Sequence, residues 1–206
     1  MTRTYFITGI GTDVGKTVAS AIVVKALGAD YWKPIQCGDL DHSDSMKVQR
    51  LTGCAVHPEA YRLHLPMSPH AAAEAEGMEV TLDGFRVPKT DRPLVIEGAG
   101  GLLVPLNRKE TVLDLIQTLG VPVMLVSRHY LGSINHTLLS LEVLKQRGIS
   151  VAGILFNGEE HPATESIIAE LTGVMVLGRI PVFTELSVDA VSVAADQLRE
   201  RLLQAL

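Results

Sequence analysis

Short apolar runs alternate with segments of helical period along the whole chain. The short runs are typical of strands buried on both faces, and the segments with apolar residues every three or four positions are typical of helices that cover a sheet. Alternation of this kind predicts βαβ units, and so an α/β fold with a doubly wound, mostly parallel sheet and helices on both faces. The predicted strands begin at residue 4 and then cover 30–36, 94–96, 121–127, 151–156 and 174–180. The predicted helices cover 18–27, 70–76, 111–119, 134–146, 163–171 and 188–206, and one more starts at Ser43 or Asp44.

The stretch from 52 to 93 is the least regular part of the chain. It contains several prolines, and only the Ala-rich patch 70–76 has helical character. Loops of this length in a compact domain are usually functional. We therefore expect contacts with a substrate in this stretch.

The segment 4–17 has the order of strand, Gly-rich turn and helix that a phosphate-binding loop requires. In that order, backbone N–H groups and the N-terminus of the helix converge on an anion. Lys16 would supply charge to the outer phosphates of a nucleotide, and the Thr17 hydroxyl would be a ligand for magnesium. The first glycine of the usual pattern is missing, because Gly9 stands one residue too early and makes the loop a longer G-x5-G-K-T variant. The loop residues expected to bind the nucleotide are Thr12, Asp13, Val14, Gly15, Lys16, Thr17 and Val18.

Two carboxylates complete the set of groups that a magnesium nucleotide needs. Glu97 follows the short apolar strand 94–96, and Asp44 follows a polar loop. Ligands of parallel sheets bind outside the carboxyl ends of the strands, where both residues are expected to lie. Magnesium prefers hard oxygen ligands, so Thr17, Asp44 and Glu97 are the predicted metal ligands, and Mg2+ is the predicted cofactor of a nucleotide site. The residues expected to line the nucleotide site after Glu97 are Gly98, Ala99 and Gly100.

Lys33 would place a second cation at a neighbouring strand end, between Trp32 and Pro34. Each of these assignments has a structural alternative. The glycines of the loop could serve only the packing of a strand against a helix, Glu97 could cap a tight turn, and Lys33 could be a solvated lysine at a strand end. A Lys-Thr pair at the start of an almost uncharged helix has no packing rationale, which favours the phosphate-binding interpretation.

Composition and charge exclude several classes of function. The 206 residues fit one domain, and we expect 1–206 to form a single P-loop ATP-binding unit. A net charge of −5 provides no basic surface for nucleic acid, and no apolar run approaches the length of a membrane span. Because the chain opens directly with a strand, no signal peptide is expected, and the cytoplasm is the expected compartment. Cys37 and Cys54 lack a Cys-x-x-Cys spacing and are expected to be free thiols.

Several motifs occur in the order and spacing of the dethiobiotin synthetase family, which the chain resembles over nearly its whole length. The motifs are Thr8-Gly9, Gly15–Ser20, Trp32–Pro34, Ser43-Asp44, Ser68–His70, Glu97–Gly101 and Leu131–His136. The resemblance implies an ATP- and Mg-dependent ligase that makes a cyclic urea from 7,8-diaminopelargonate and CO2 in the penultimate step of biotin synthesis. The implied route passes through a carbamate and a carbamic-phosphoric anhydride and releases ADP and phosphate. A homodimer with active sites near its interface is also implied.

The resemblance assigns roles to individual residues. Lys33 matches the family's catalytic lysine and would stabilise the carbamate and the transferring phosphoryl group. Lys16, the second residue with a catalytic role, would hold the γ-phosphate. Asn157 matches the residue that binds adenine, for which its amide offers a donor and an acceptor. Pro181 would form a wall of the base pocket, and Glu185 a nearby acidic contact. The residues that match substrate contacts are Cys37, Ser68, Pro69, Leu131, Gly132 and Asn135.

Two of these substrate assignments carry a physical argument. The turn 132–135 precedes a helix, so its N–H groups could bind the distal carboxylate of the substrate, in the family across a dimer interface. Cys37 stands where the family commonly has Ser or Thr. A thiol is a weak hydrogen-bond donor, so its alternative role is that of a small buried side chain.

Two other classes of protein share parts of this pattern. Partitioning-type ATPases of the same P-loop branch carry a signature lysine five residues before the loop lysine, where this chain has Gly11. Small-molecule kinases carry a lid-like run of arginines that this sequence lacks. Both classes are therefore disfavoured relative to the ligase.

Overall fold

The computed structural model describes residues 3–205 and has two parallel sheets. In chain order the strands are β1 (Thr4–Gly9), β2 (Asp30–Trp32), β3 (Ile35–Cys37), β4 (Val56–His57), β5 (Tyr61–Leu63), β6 (Leu94–Gly101), β7 (Val123–Arg128), β8 (Val151–Asn157) and β9 (Val176–Ile180). The large sheet has the order β4-β2-β6-β1-β7-β8-β9, and β3 pairs with β5 in a small second sheet. Since β1 lies at the centre, the phosphate loop that follows it opens in the middle of the sheet's carboxyl edge.

Seven α-helices cover the two faces of the large sheet within the described residues. They are α1 (Lys16–Leu27), α2 (Asp44–Thr52), α3 (Pro69–Ala75), α4 (Val112–Leu119), α5 (Ser133–Gln146), α6 (Pro162–Thr172) and α7 (Val188–Ala205). The predicted α/β fold is confirmed, and each predicted helix is present with ends that agree to within about two residues. The predicted end of the last helix at Leu206 lies outside the described residues.

The alternation of side chains along the strands divides the core into two layers. Tyr5 and Ile7 of β1 pack into the layer formed with α1, α2 and α7, whereas Phe6 packs into the opposite layer with α3 and α4. Helix α1 is buried almost all round, because α2 and α7 cover the side that faces away from the sheet. This explains why a helix that starts with Lys16 is otherwise nearly uncharged.

Two predicted strands differ from the observed ones at the site. The predicted strand 30–36 is broken, because β2 ends at Trp32 and the chain enters the small sheet at Ile35. Pro34 has no N–H to continue the ladder, and its carbonyl instead accepts hydrogen bonds from Ala60 and Tyr61. The predicted strand 94–96 is longer than expected, since β6 continues through Glu97 and the glycines.

Pairing with the central strand accounts for the extra length of β6. Gly101 pairs with Gly9 of β1, and a side chain on Gly101 would meet the Gly9 carbonyl oxygen at 3.4 Å. Glycine is depleted in strands, which is why the sequence predicted an end here, but tertiary pairing overrides that preference. The short strands β4 and β5 in the irregular stretch were not predicted either.

None of the helices within residues 3–205 combines the length and the apolar character that a membrane span needs.

Candidate functional site

The loop between β1 and α1 curls tightly around its own backbone. Asp13 and Gly15 have left-handed φ angles of 56° and 92°. A Cβ atom on Gly15 would lie 2.2 Å from Nδ2 of Asn157, so only glycine fits between the loop and the end of β8. The Lys16 ammonium bends back and donates to the carbonyl of Gly11 at 2.9 Å. Such a ring of backbone around a lysine is the arrangement that holds phosphate groups.

Lys16 is a cation in a buried setting, with 8% of its surface exposed. Burial lowers the pKa of its ammonium group, and nearby Lys33 lowers it too, while Glu97 and Asp44 act in the opposite direction. An anion in the loop would therefore relieve an unfavourable desolvation of this lysine.

Lys33 bridges two carboxylates at the mouth of the loop. Its Nζ lies 2.7 Å from Oδ2 of Asp44 and 3.0 Å from Oε1 of Glu97, and the residue is 5% exposed. Burial alone would lower the pKa of Lys33, but the two carboxylates raise it above its ordinary value. The side chain is thus a fixed, protonated cation and not a solvated lysine at a strand end.

Glu97 collects hydrogen bonds on both carboxylate oxygens. Thr17 donates to Oε1 at 3.0 Å, and the hydroxyl of Tyr31 donates to Oε2 at 2.8 Å. Burial and the neighbouring Glu97 charge raise the pKa of Tyr31 well above its usual value, so this hydroxyl keeps its proton. Sequence reasoning missed Tyr31, although the period of two in a strand places it on the same side as Lys33.

Asp44 is held in place by backbone contacts as well as by Lys33. It begins α2 directly after the cap Ser43, whose side chain accepts from the N–H of Met46. The buried amide of Gln36 accepts from the N–H of Asp44 at 3.2 Å and donates to the carbonyl of Gly38 at 2.9 Å. Burial would raise the pKa of Asp44, but Lys33 holds it below its usual range. Gln36, which the sequence did not single out, thus ties together both ends of the loop that carries the carboxylate.

The donor set fits magnesium better than a softer metal. The hydroxyl of Thr17 and the carboxylates of Asp44 and Glu97 are hard oxygen donors. Thr17 contacts Glu97, and Lys33 contacts both carboxylates. No group of three His, Cys, Asp or Glu side chains suited to a metal exists within residues 3–205. A metal here would take part of its coordination from nucleotide oxygens and water, as magnesium commonly does.

An open cavity of about 950 Å³ lies over these residues at the carboxyl edge of the sheet. Of the residues that the sequence predicted for the site, the cavity is lined by Thr12, Asp13, Gly15, Lys16, Thr17, Val18, Lys33, Cys37, Asp44, Ser68, Pro69, Glu97, Ala99 and Gly100. The lining also includes Gln36, Lys47, Arg50, Met67 and Leu186, which the sequence did not indicate. Ser68 and Pro69 bring the irregular stretch to the cavity, and its contact with a substrate stays a prediction.

Cys37 lines the cavity but is not a reactive thiolate. Burial raises the pKa of its thiol to about 11, against a smaller lowering by Lys33. Pro66 packs on the adjacent Gly38, where a Cβ atom would lie 2.7 Å away. The thiol is therefore a neutral, partly covered group beside the cation.

Other predicted residues lie outside the lining of this cavity. Val14 is buried in the core, and Gly98 packs against the ring of Phe6. Asn157 lies on the rear of the phosphate loop, where its Nδ2 donates to the Val14 carbonyl at 2.8 Å. The remaining residues not among those lining the cavity are Leu131, Gly132, Asn135, Pro181 and Glu185.

Sequence relatives identify the family of the chain. A model of the AAA domain family matches residues 3–189. The chain is 55% identical over 210 residues to the ATP-dependent dethiobiotin synthetase BioD of Christiangramia forsetii, across 99% of this chain and 100% of that protein. It is 50% identical over 193 residues to the ATP-dependent dethiobiotin synthetase BioD of Brucella anthropi, across 92% of this chain and 91% of that protein.

Two solved structures with a similar fold are MinD proteins. The cell division ATPase MinD of Pyrococcus furiosus has a TM-score of 0.64 at 15% identity over 100% of both chains. The septum site-determining protein MinD of Pyrococcus horikoshii, complexed with Mg-ADP, has a TM-score of 0.59 at 16% identity, over 100% of this chain and 93% of that one. At such identities the likeness shows the fold alone, which is that of P-loop ATPases. The sequence relatives decide the family, and the chain belongs to the ATP-dependent dethiobiotin synthetase family of ligases.

Proposed function

We propose that the protein converts 7,8-diaminopelargonate, CO2 and ATP into dethiobiotin, ADP and phosphate. The observation that carries the proposal is Lys33, a buried cation between two carboxylates at the mouth of a phosphate loop. The chemistry of ring closure builds up negative charge at one point and needs no nucleophilic side chain. A site that offers cations and positioned oxygens suits that chemistry.

The proposed reaction has three steps whose atoms balance. One amine of the substrate attacks CO2 and loses a proton, which gives a carbamate. A carbamate oxygen then attacks the γ-phosphorus of ATP and breaks its bond to ADP, which gives the carbamic-phosphoric anhydride. The second amine attacks the carbonyl carbon, phosphate leaves, and the cyclic urea closes after loss of a proton.

The two lysines act through charge in this scheme. The carboxylates keep Lys33 protonated, so it would not accept the proton of an amine and would instead stabilise the carbamate and the transferring phosphoryl group. Lys16 would hold the γ-phosphate. Thr17, Asp44 and Glu97 would hold Mg2+, which supplies charge neutralisation to the phosphates when bound. Ala99 and Gly100 line the cavity beside Glu97, where they would leave room because neither carries more than a methyl group.

The base of ATP would bind beyond the loop, towards β8 and β9. Asn157 follows β8 and lies against Gly15, so its amide is next to the phosphate site while it remains able to contact adenine. Asn157 pairs in the sheet with Ile180, the last residue of β9, and Pro181 comes directly after it. Glu185 lies further along the same loop. Exposed Leu186 of that loop reaches the lining of the main cavity.

The diamine would bind between the small sheet and the turn before α3, beside Cys37, Ser68 and Pro69. The turn at Leu131 and Gly132 does not line this cavity in its own chain, and Leu131, two residues before α5, is fully exposed. Other apolar side chains stand exposed nearby, namely Leu103, Tyr130 and Leu139. These features support a homodimer in which a second copy supplies residues 131–135 to the site.

Product formation decides between this ligase and a partner-controlled ATPase. We expect ADP release to require both the diamine and bicarbonate as the source of CO2, with one dethiobiotin formed for each ADP. Turnover that is independent of the diamine would refute the proposal. Sedimentation of the protein at micromolar concentration tests the dimer separately.

A further inference from the structure

Glu165 of α6 is the centre of a polar cluster outside the proposed reaction centre. Both of its oxygens lie 2.5 Å from Nη2 of Arg179, and Oε1 also contacts Nε2 of His129 at 2.9 Å. The backbone N–H of His161 donates to the same oxygen at 3.0 Å. Burial would raise the pKa of Glu165, but these partners lower it, so the carboxylate is charged at neutral pH.

Arg179 connects this carboxylate to the turn after β8. Its Nη1 donates to the carbonyl oxygens of Gly158 at 3.2 Å and Glu159 at 2.9 Å. The side chain is only 27% exposed, and Arg179 is the last residue but one of β9. Because the guanidinium group is planar and its donors are fixed, one side chain joins the turn to α6 in a defined geometry.

The turn that Arg179 holds is the one that begins with Asn157. Asn157 pairs with Ile180 in the sheet, and the N–H of Gly158 donates to the Ile180 carbonyl at 3.0 Å. Pro181 directly follows Ile180, with which β9 ends. The turn after β8 and the end of β9, which are proposed to enclose adenine, are therefore hydrogen-bonded to each other around Arg179.

We propose that Arg179 and Glu165 are positioning residues for the adenine end of the nucleotide site: the ion pair holds the turn 157–159 against the loop after β9 and so sets nucleotide affinity. Neither residue lines the cavity that contains Lys33, where the reaction is proposed to take place. The inference rests on the proposed role of Asn157 and Pro181 in binding the base.

The test compares Arg179→Gln with wild type. Hydrogen bonds to charged groups contribute enough that loss of the fork should weaken ADP binding about tenfold. We expect the Kd for ADP, measured by titration calorimetry, and the KM for ATP to rise together, while kcat at saturating ATP and the KM for the diamine stay within about twofold of wild type. Arg179→Lys should fail to restore affinity, since an ammonium group cannot make the planar fork.

Two further variants separate this role from a general loss of stability. Glu165→Gln keeps the size of the side chain and removes its charge, and it should show the same rise in KM for ATP. Arg147→Gln is the matched control. Arg147, which follows α5, pairs with Asp114 of α4 at 3.0 Å, so the variant loses an ion pair elsewhere and should leave ADP affinity unchanged.

The outcomes distinguish this inference from the proposed function. Wild-type ADP affinity in both Arg179→Gln and Glu165→Gln would overturn it, as would a loss of kcat that equals or exceeds the rise in KM for ATP. Calorimetry with ADP needs no diamine, so a failure of ring closure in wild type would not change this result.

Discussion

Lys33→Gln removes the ammonium group that separates Asp44 from Glu97. The two carboxylates would then face each other without a cation, and the Glu97 side chain is only 1% exposed. Removal of one partner from a buried pair costs about 3–5 kcal/mol. Because the Asp44 side chain is 21% exposed, water screens part of that cost, and we expect a loss of about 3 kcal/mol in the free energy of unfolding.

Thermal unfolding of the ligand-free variant measures this loss. For a chain of this size about 3 kcal/mol corresponds to a Tm lower by roughly 6–12 °C. Saturating Mg-ADP should raise the Tm of Lys33→Gln by more than that of wild type, because the divalent cation neutralises carboxylates that no longer have a partner. Turnover should fall by at least about 100-fold while the Kd for ADP changes much less.

Lys109→Gln is the control for the loss of a positive charge, because Lys109 is exposed. It should leave Tm and turnover near their wild-type values. A Tm of ligand-free Lys33→Gln within about 2 °C of wild type would show that the ion pair does not carry the stability assigned to it. Unchanged turnover would remove Lys33 from the mechanism.

Three more predictions follow from other contacts. Tyr31→Phe deletes the donor to Glu97 at 2.8 Å and should lower kcat roughly tenfold in steady-state assays; an unchanged kcat would mean that Glu97 needs no such support. Gly15→Ala would place a Cβ atom 2.2 Å from Nδ2 of Asn157 at a φ of 92°, so ATP affinity and Tm should both fall. Gly28→Ala, which has open space around the added Cβ atom, should lower Tm only through backbone strain. The folded-state pKa of Glu165 is lowered, so its stabilisation is complete above the unfolded value of about 4.5 and is lost as pH falls through the folded value. Unfolding midpoints measured from pH 7 to pH 3 should therefore fall more steeply for wild type than for Glu165→Gln.

Similarity of fold and similarity of chemistry point to different relatives here. Two of the solved structures with this fold are MinD proteins, yet position 11, where partitioning ATPases carry a signature lysine, is glycine. In the structure the Gly11 carbonyl accepts a hydrogen bond from the Lys16 ammonium group. The shared sheet therefore explains the position of the phosphate loop, and in the proposed reaction residues such as Lys33 would account for the chemistry.

The amino-acid sequence by itself determined the architecture and the centre of the site. Alternating apolar runs and helical segments predict a parallel sheet because burial on both faces leaves a local pattern in the chain. The Gly15-Lys16-Thr17 triplet lies next to its own helix, so its function can be recognised without any knowledge of distant residues. Glu97 and Asp44 were predicted in the same way, from their expected places after a strand and at the start of a helix.

Only the tertiary structure decided which distant groups surround that centre. Tyr31 reaches Glu97 across 66 residues of sequence, and this contact exists because β2 lies beside β6 in the sheet. Arg179 joins the turn after β8 for the same reason, since β8 and β9 are neighbours. Periodicity records which face of a strand is buried, but strand order and side-chain reach are properties of the folded sheet, and no local pattern encodes them.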